Sequence, residues 1–519
     1  MKFLRTAAAA WLVLFAAFLA TGPWQFGRFE LKQINIVVAL AFVLLIVAAC
    51  ARDVRRWYAE VLRRDVQFSK RALFIAAAGC ALFFIAVVWS KWSALEVNAW
   101  DFSVVYDRPL ERTLGGRVLY ADEIERSMLG VHANWVQFLF VPLYAIARTP
   151  LWLLLAHALG IAAGVIAAFL FFREIARDDV VAVLLAAALL FNRYTAKATQ
   201  YVFHPEVFYL AGLFLLYYSF VRQRRGLYAL ALLFVLSIKE DAIIPLIGFA
   251  SVAALTYRRW RWAIVTAAAA IAVFAFDYFL VMPHYAPPAA ETAWYANYWS
   301  TFGDTPLEAI GGMLRQPLLV ASRVVSGSSD IFLSLALVPL AGAQWLIAAL
   351  PGLVVYGSSD MEKLHWFTLY YSMPVLPAVF AAIPSGIQRI ARFFRSYDAR
   401  VVSRIAAMVV LVASIAVGSG HLLHPRHPDR HKIAPLIAES RAPVTWVQGA
   451  LFPRAGYSAR VQVLNERAQV DGRAAFLLAP RLDQYPYESP HVETLISQLL
   501  SDARYRRREA GALVLFVPR

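Results

Sequence analysis

The sequence predicts an all-α polytopic membrane protein of about thirteen transmembrane helices, followed by a small C-terminal α/β domain outside the membrane. Three observations predict it. Hydrophobic residues make up 61% of the chain and charged residues 16%, whereas soluble domains lie nearer one half and one quarter. Long uncharged runs recur from Ala7 to His421. Arginines gather in short clusters between those runs, where they hold loops in the cytoplasm. The formal net charge of +16 is therefore a topology signal, not a sign of nucleic-acid binding. The short alternating segments of a membrane barrel are not seen. Both cysteines, Cys50 and Cys80, fall in or at the end of apolar runs, so the extramembrane parts offer no disulfide framework and no cysteine metal site.

Residues 1–71 are expected to hold two helices, near 7–21 and 34–51, and a cytoplasmic basic loop. The stretch Met1–Ala20 has a basic start and an apolar run, but no small-x-small cleavage site follows, so it reads as a retained helix. The loop from Arg52 to Arg71 carries seven basic residues, among them Arg55, Arg56, Arg63 and Arg64, and anchors the topology. Residues 72–420 form the main membrane module. Its first helix, near 72–92, delivers a loop at 93–148 to the outside. That loop carries Asp101, Asp107, Glu111, Asp122, Glu123 and Glu125, then Val131-His132, and is expected to contain helices lying on the membrane surface.

Helices near 151–172 and 180–191 lead to Asn192-Arg193-Tyr194 and then to Phe203-His204-Pro205-Glu206. Basic clusters at Arg222–Arg225 and Arg258–Arg261 both belong inside. The apolar stretch between them must therefore go out and return, with Lys239-Glu240-Asp241 at its apex. Each arm has only about 13–16 residues, roughly 20–24 Å, short of a hydrocarbon core of about 30 Å. An intramembrane charge facing lipid costs at least about 2.5–3.5 kcal/mol, so the triplet should line a wet cavity on the same side as Asp101. A helix near 263–282 and an aromatic loop with His284, Tyr285, Trp294, Tyr295, Tyr298 and Trp299 follow. The loop is either an interfacial belt or a sugar-stacking platform. The uncharged run from Ile331 to Ser359 reads as a hairpin turning near Gly342–Gln344. Lys363, His365, Tyr370 and Tyr371 come next, then a helix from about Ser372, an inner arginine loop, and a last helix near 405–420.

Residues 421–519 change character. Val444–Gln448, Ala475–Leu478 and Leu513–Val517 read as strands and Val492–Ala503 as a helix. His421, His424, His427 and His431 invite a metal site, but prolines interrupt their loose spacing, and a linker is the better reading.

Phe203-His-Pro-Glu206, an apolar helix, and Ile238-Lys-Glu-Asp-Ala242 together resemble a bacterial family of membrane proteins known as domain of unknown function 2079. Val131-His132, Pro142-Leu-Tyr144 and Leu350-Pro351 through Tyr371-Ser372 also fit, from about Trp92 to Ser385. The family's Phe-Asp-Leu-Gly is Trp100-Asp-Phe-Ser103 here, which keeps the aspartate and loses the glycine. That family in turn looks like a relative of the GT-C glycosyltransferases. The resemblance implies a GT-C-like module in a bacterial inner membrane; the arginine clusters and the count of about thirteen spans put the N-terminus in the cytoplasm and the C-terminal domain outside. The resemblance also implies a sugar donor linked to a polyprenyl phosphate, an acceptor of unknown identity, inverting transfer and an active site on the outer face.

On that reading Asp101 is the general base that takes a proton from an acceptor hydroxyl; otherwise it is a solvated loop residue. Lys239 pairs with a donor phosphate or neutralises Glu240 and Asp241 within the protein. Glu240 and Asp241 bind sugar hydroxyls or hold Lys239. His204, Glu206, His132 and His365 contact phosphate or sugar, or else cap and pack. Arg193, Lys197 and Arg323 contact phosphate or snorkel to the interface. No metal site and no cofactor are assigned; a divalent cation between Glu240, Asp241 and the donor phosphates can be drawn, but no further motif supports it. Two other classes compete: a transporter or lipid flippase, since charges inside a membrane mark transport routes, and a non-catalytic scaffold that anchors the C-terminal domain.

Overall fold

The computed structural model describes residues 24–26, 29–31, 60–97, 100–286, 298–417, 422–485, 487 and 491–519. The two helices expected before residue 52 and His421 lie outside the described residues; so do Trp294 and Tyr295. Strands β1 (Trp24–Phe26) and β2 (Phe29–Leu31) pair antiparallel.

The membrane module begins with α1 (Lys70–Ala94), capped where Ser69 Oγ accepts from the Ala72 amide at 3.1 Å and ended by Leu95 at φ 63°. Then come α2 (Leu151–Ala176), α3 (Asp179–Phe191), α4 (Arg193–Gln200) and α5 (Phe208–Val221). α2 and α5 form the central pair. Gly160 and Gly164 leave no room for a side chain where Phe208 and Leu210 press against α2, each 2.6 Å from where a Cβ would lie. Such small residues let membrane helices approach closely. This contact fixes the start of α5, and with it the His204–Glu206 turn. α3 and α4 meet at a 47° bend. Asn192 sits there, accepting from the Tyr194 amide at 3.1 Å and donating to Ser334 Oγ at 3.2 Å.

α6 (Arg225–Leu236) and α7 (Ile243–Ser251) flank a 3₁₀ turn at Glu240–Ala242. α6 rises only about 18 Å over its twelve residues, too short to cross a core of about 30 Å. α8 (Trp260–Phe276) continues through a π-helical turn to Tyr285. α9 (Pro317–Leu333), α10 (Ala343–Gly357), α11 (Leu376–Phe393) and α12 (Ala399–Ala416) complete the module. Among the described residues, four helices are long and apolar enough to cross a membrane, or five if the bent α3–α4 pair is one span; several shorter apolar helices lie between them. Their exposed faces carry Phe74, Leu82, Val265, Phe279 and Leu318, as lipid contact requires.

The hairpin expected at 331–359 begins earlier. α9 is its first arm, the break lies at Ser334–Gly342, and Ala336 and Leu337 take positive φ. Arg323 and Asp330 ride on that arm because both are paired, Arg323 to Asp360 at 2.6 Å and Asp330 to Arg193 at 2.9 Å. At the opposite, basic end of the module Arg404 is buried. It donates to Asp178 Oδ2 at 2.9 Å and to the carbonyls of Leu62 and Arg64 at 2.8 Å, tying the arginine-rich loop to the start of α3.

The 93–148 loop is structured over its described residues, 93–97 and 100–148. Trp100–Asp107 is π-helical, Arg108–Leu114 is an α-helix, and β3 (Tyr120–Ala121) pairs with β4 (Arg126–Ser127). The C-terminal domain places helix α13 (Ile433–Ser440) ahead of its sheet. That sheet comprises β5 (Thr445–Val447), β6 (Val461–Val463), β7 (Ala475–Leu478), β8 (Tyr505–Ala510) and β9 (Leu513–Pro518), with α14 (His491–Ser501) between β7 and β8. The spatial order is β6-β5-β7-β9-β8. β5 runs parallel to β6 and β7, while β9 is antiparallel to β7 and β8.

The domain docks on the 93–148 loop. The Arg108 guanidinium lies 3.9 Å over Phe452 and donates to the carbonyls of Gly456 and Val461. Arg454 stacks on Trp92 and donates to its carbonyl at 2.9 Å. Asp107 accepts from Tyr144 at 2.5 Å and from Tyr457 at 2.7 Å. His424 pairs with Glu96 at 2.6 Å and His427 accepts from the Asp429 amide. Among the described residues no group of three or more His, Cys, Asp or Glu side chains is disposed to hold a metal.

Candidate functional site

Residues far apart in the chain meet beneath the docked domain. Asp101 lies in the first turn of the π-helical segment, and Tyr201, just past α4, donates to its Oδ2. The Tyr201 ring packs on Tyr370 with centroids 5.3 Å apart. Tyr370 stacks on His204 at 3.6 Å and 15°. His204 Nδ1 lies 3.0 Å from Tyr106 Oη and 3.2 Å from Glu206 Oε2. Glu206 Oε1 accepts from Lys239 Nζ at 2.8 Å. Contact thus runs unbroken from Asp101 through Tyr201, Tyr370, His204 and Glu206 to Lys239. Tyr371 and Tyr106 lie within electrostatic reach of both ends.

The turn at 239–241 is held on every side. Lys239 lies 3.9 Å from Asp241 Oδ2 as well as against Glu206. Asp241 accepts from Tyr209 at 2.5 Å and Tyr356 at 3.1 Å. Glu240 accepts from His132 Nδ1 at 2.8 Å and from the Ala133 amide at 3.0 Å, joining the triplet to the 93–148 loop. Isolated buried charges would be costly; pairing and hydrogen bonding are what make them tolerable. His204 Nε2 is buried and has no partner among the described residues, so a polar atom in the middle of the cluster is left with unused hydrogen-bonding capacity.

Asp101, His204, Glu206, Lys239, Glu240, Asp241 and His132 are therefore brought together. His365 is not. Its Nδ1 donates to the Gly357 carbonyl at 2.6 Å and its Nε2 faces Ser326 at 3.4 Å, so it clamps α9 to the end of α10. The reason is that the backbone of Gly327 passes directly against His365.

Sequence reading named Tyr370 and Tyr371 without giving them a role, and missed the rest of the tyrosine frame, Tyr106, Tyr201, Tyr209 and Tyr356. It also missed Asp277, which accepts from Trp135 Nε1 at 2.8 Å. Asp277 carried a signal, a carboxylate inside an apolar helix. Tyr106, Tyr201, Tyr209 and Tyr356 carried none, since tyrosine is common wherever a membrane helix meets water.

The fold and this cluster define a polytopic helical membrane protein whose acidic loop meets a buried charged turn beneath a small docked domain. The chain belongs to the family of predicted membrane proteins called domain of unknown function 2079, whose profile matches residues 91–451. Its fold is also that of ArnT from Cupriavidus metallidurans in the crystal structure bound to undecaprenyl phosphate. The TM-score is 0.52 at 12% identity, over 86% of this chain and 98% of that one. The apo structure of the same ArnT aligns with a TM-score of 0.46 at 13% identity, over 85% and 98%. No curated protein matches the chain.

Proposed function

We propose that the chain is a GT-C-type membrane glycosyltransferase. It moves a sugar from a polyprenyl-phosphate-linked donor to an acceptor hydroxyl, with inversion, at the outer face of the bacterial inner membrane. The module is 72–420, and residues 421–519 form an extracytoplasmic domain over the site. The observation that carries this reading is the meeting of Asp101 with the Glu206–Lys239–Asp241 cluster through the tyrosine and histidine frame. The likeness in fold to a structure bound to undecaprenyl phosphate supports the choice of donor.

Asp101 takes the proton of the acceptor hydroxyl as that oxygen attacks the anomeric carbon, and the donor phosphate leaves without needing an acid. Tyr201 holds the Asp101 carboxylate in place by donating to it. His204, and Glu240 with His132, bind sugar hydroxyls. The ammonium of Lys239 is matched by Glu206, so its charge serves the cluster before any ligand. Four carboxylates, Asp101, Glu206, Glu240 and Asp241, gather here. A phosphate about 4 Å from one unmatched carboxylate meets roughly 4 kcal/mol of repulsion.

The test is transfer by the purified protein in nanodiscs, supplied with polyprenyl-phosphate sugars and a membrane-extract acceptor. Wild type should transfer label and Asp101→Asn should not. Equal transfer by both removes Asp101 from the mechanism.

A further inference from the structure

At the basic end of the module, α2 and α5 part around a cavity of about 330 Å³, lined by Leu170, Arg173, Glu174, Arg177, Tyr218 and Arg222. α5 has the His204–Glu206 turn before its start and this cavity at its end. Its fourteen residues set the two apart by on the order of 21 Å, so the cavity is separate from the Asp101 cluster.

The lining is graded. Leu170, Arg173, Glu174 and Arg177 follow at spacings of three and four toward the end of α2, and Tyr218 and Arg222 at four toward the end of α5, so each set shares one helix face. Apolar and aromatic side chains come first and guanidiniums last, the order in which acyl chain, glycerol and phosphate cross a membrane interface. α2 has 26 residues and is about 39 Å long, more than a hydrocarbon core of about 30 Å. Its arginine end therefore reaches headgroup depth.

The charge is positive and partly unspent. Three guanidiniums face one lining carboxylate, Glu174, and Asp179 stands behind Arg173 at 2.7 Å. Arg222 reaches Glu174 only at 3.3 Å. Arg177 has no side-chain partner among the described residues. Three cations against two carboxylates leave one positive charge, which one phosphodiester matches. A guanidinium carries five N–H donors; Arg173 engages two nitrogens and Arg222 one. Nor do the helix ends claim the arginine side chains. Arg259 donates to the Phe220 carbonyl and Gln388 to the Ile175 carbonyl, both at 2.7 Å, so other residues serve the last carbonyls of α5 and α2.

We infer that this cavity seats the phosphodiester headgroup of an anionic phospholipid, which bridges the ends of α2 and α5. Basic pockets between membrane helices take anionic headgroups, and guanidinium groups bind phosphate through charge-assisted hydrogen bonds. The inference draws nothing from the glycosyltransferase reading and stands or falls without it.

The experiment is lipid titration of the full-length protein in detergent, read by native mass spectrometry. Three probes are used: phosphatidylglycerol, zwitterionic phosphatidylcholine and inorganic phosphate. Phosphatidylglycerol should bind wild type at least about fivefold more tightly than phosphatidylcholine. Arg177→Gln and Arg222→Gln should each weaken phosphatidylglycerol about fivefold, the worth of one basic residue at a lipid surface, with the melting temperature in lipid-free detergent unchanged. Arg395→Gln, at an exposed arginine of the same end that does not line the cavity, should leave the affinity as it is. Equal binding of the two lipids, or unchanged affinity in both cavity variants, overturns the seat. An equal loss in Arg395→Gln reduces the effect to diffuse surface charge and also overturns it. Displacement of phosphatidylglycerol by millimolar inorganic phosphate would make the cavity a site for a soluble anion and overturn the lipid assignment.

Discussion

Tyr201 is the residue through which Asp101 is held, and its hydroxyl has the Asp101 carboxylate as acceptor. A general base contributes about 10²–10⁴ in rate, so Asp101→Asn should lower transfer by that factor with little change in melting temperature. Lys239 behaves oppositely. Its ammonium matches buried Glu206, and breaking a buried pair from one side costs about 3–5 kcal/mol. Lys239→Met should therefore destabilise strongly, and adding Glu206→Gln should recover most of the loss. Thermal unfolding in detergent checks both, and an unaltered midpoint for Lys239→Met would refute the pairing. Lys239, Glu240 and Asp241 were legible because charges in an apolar run must be accounted for. Their partners were not, since sequence gives no direction to a tyrosine ring.

Helices set these distances. Gly248 on α7 touches the backbone carbonyl of Ala348 on α10 with no space for a Cβ. α10 also carries Tyr356, which donates to Asp241. Gly248→Ala should force the two helices apart, weaken that hydrogen bond and lower the melting temperature. Tyr356→Phe, which removes the bond alone, should cost about 1.5–3 kcal/mol. A Gly248→Ala protein as stable as wild type would show that the helices are not in close contact. At this scale the sequence was legible where spans are uncharged and opaque where they are not. Arg323 and Asp330 hide α9, because they interrupt its apolar pattern, and only their packed partners make those charges compatible with a helix of the module. β8 was missed for a different reason. It is an edge strand whose Arg506, Arg507 and Arg508 are all exposed, so the alternation that betrays a half-buried strand is not present.

At the scale of the whole molecule, the C-terminal domain is seated by a short peg, Asp107-Arg108. Arg108→Ala removes the stacking on Phe452 and two hydrogen bonds, and should speed proteolytic cutting between the module and the domain several-fold. Asp107 is pushed up to about 6, chiefly by burial, against the hydrogen bonds from Tyr144 and Tyr457 and the charge of Arg108. A carboxyl raised in the folded state adds stability that is complete below its ordinary value of about 4 and is lost as pH climbs through about 6. The rise from about 4 to about 6 corresponds to about 3 kcal/mol. Wild type should thus lose stability between about pH 4 and about pH 7 relative to Asp107→Asn, as melting curves at several pH values would show; parallel curves would refute it. The division into an apolar module and a polar domain was legible from composition alone. The docking was not, because it depends on two residues in a loop that sequence could mark only as acidic. Asp101 and Asp107 occupy opposite ends of one eight-residue π-helical segment. A membrane portion purified without its last hundred or so residues would keep every reactive group yet lose the stay that tensions this segment. Silence from such a truncated preparation would report slack in a tether and should not be taken as missing chemistry.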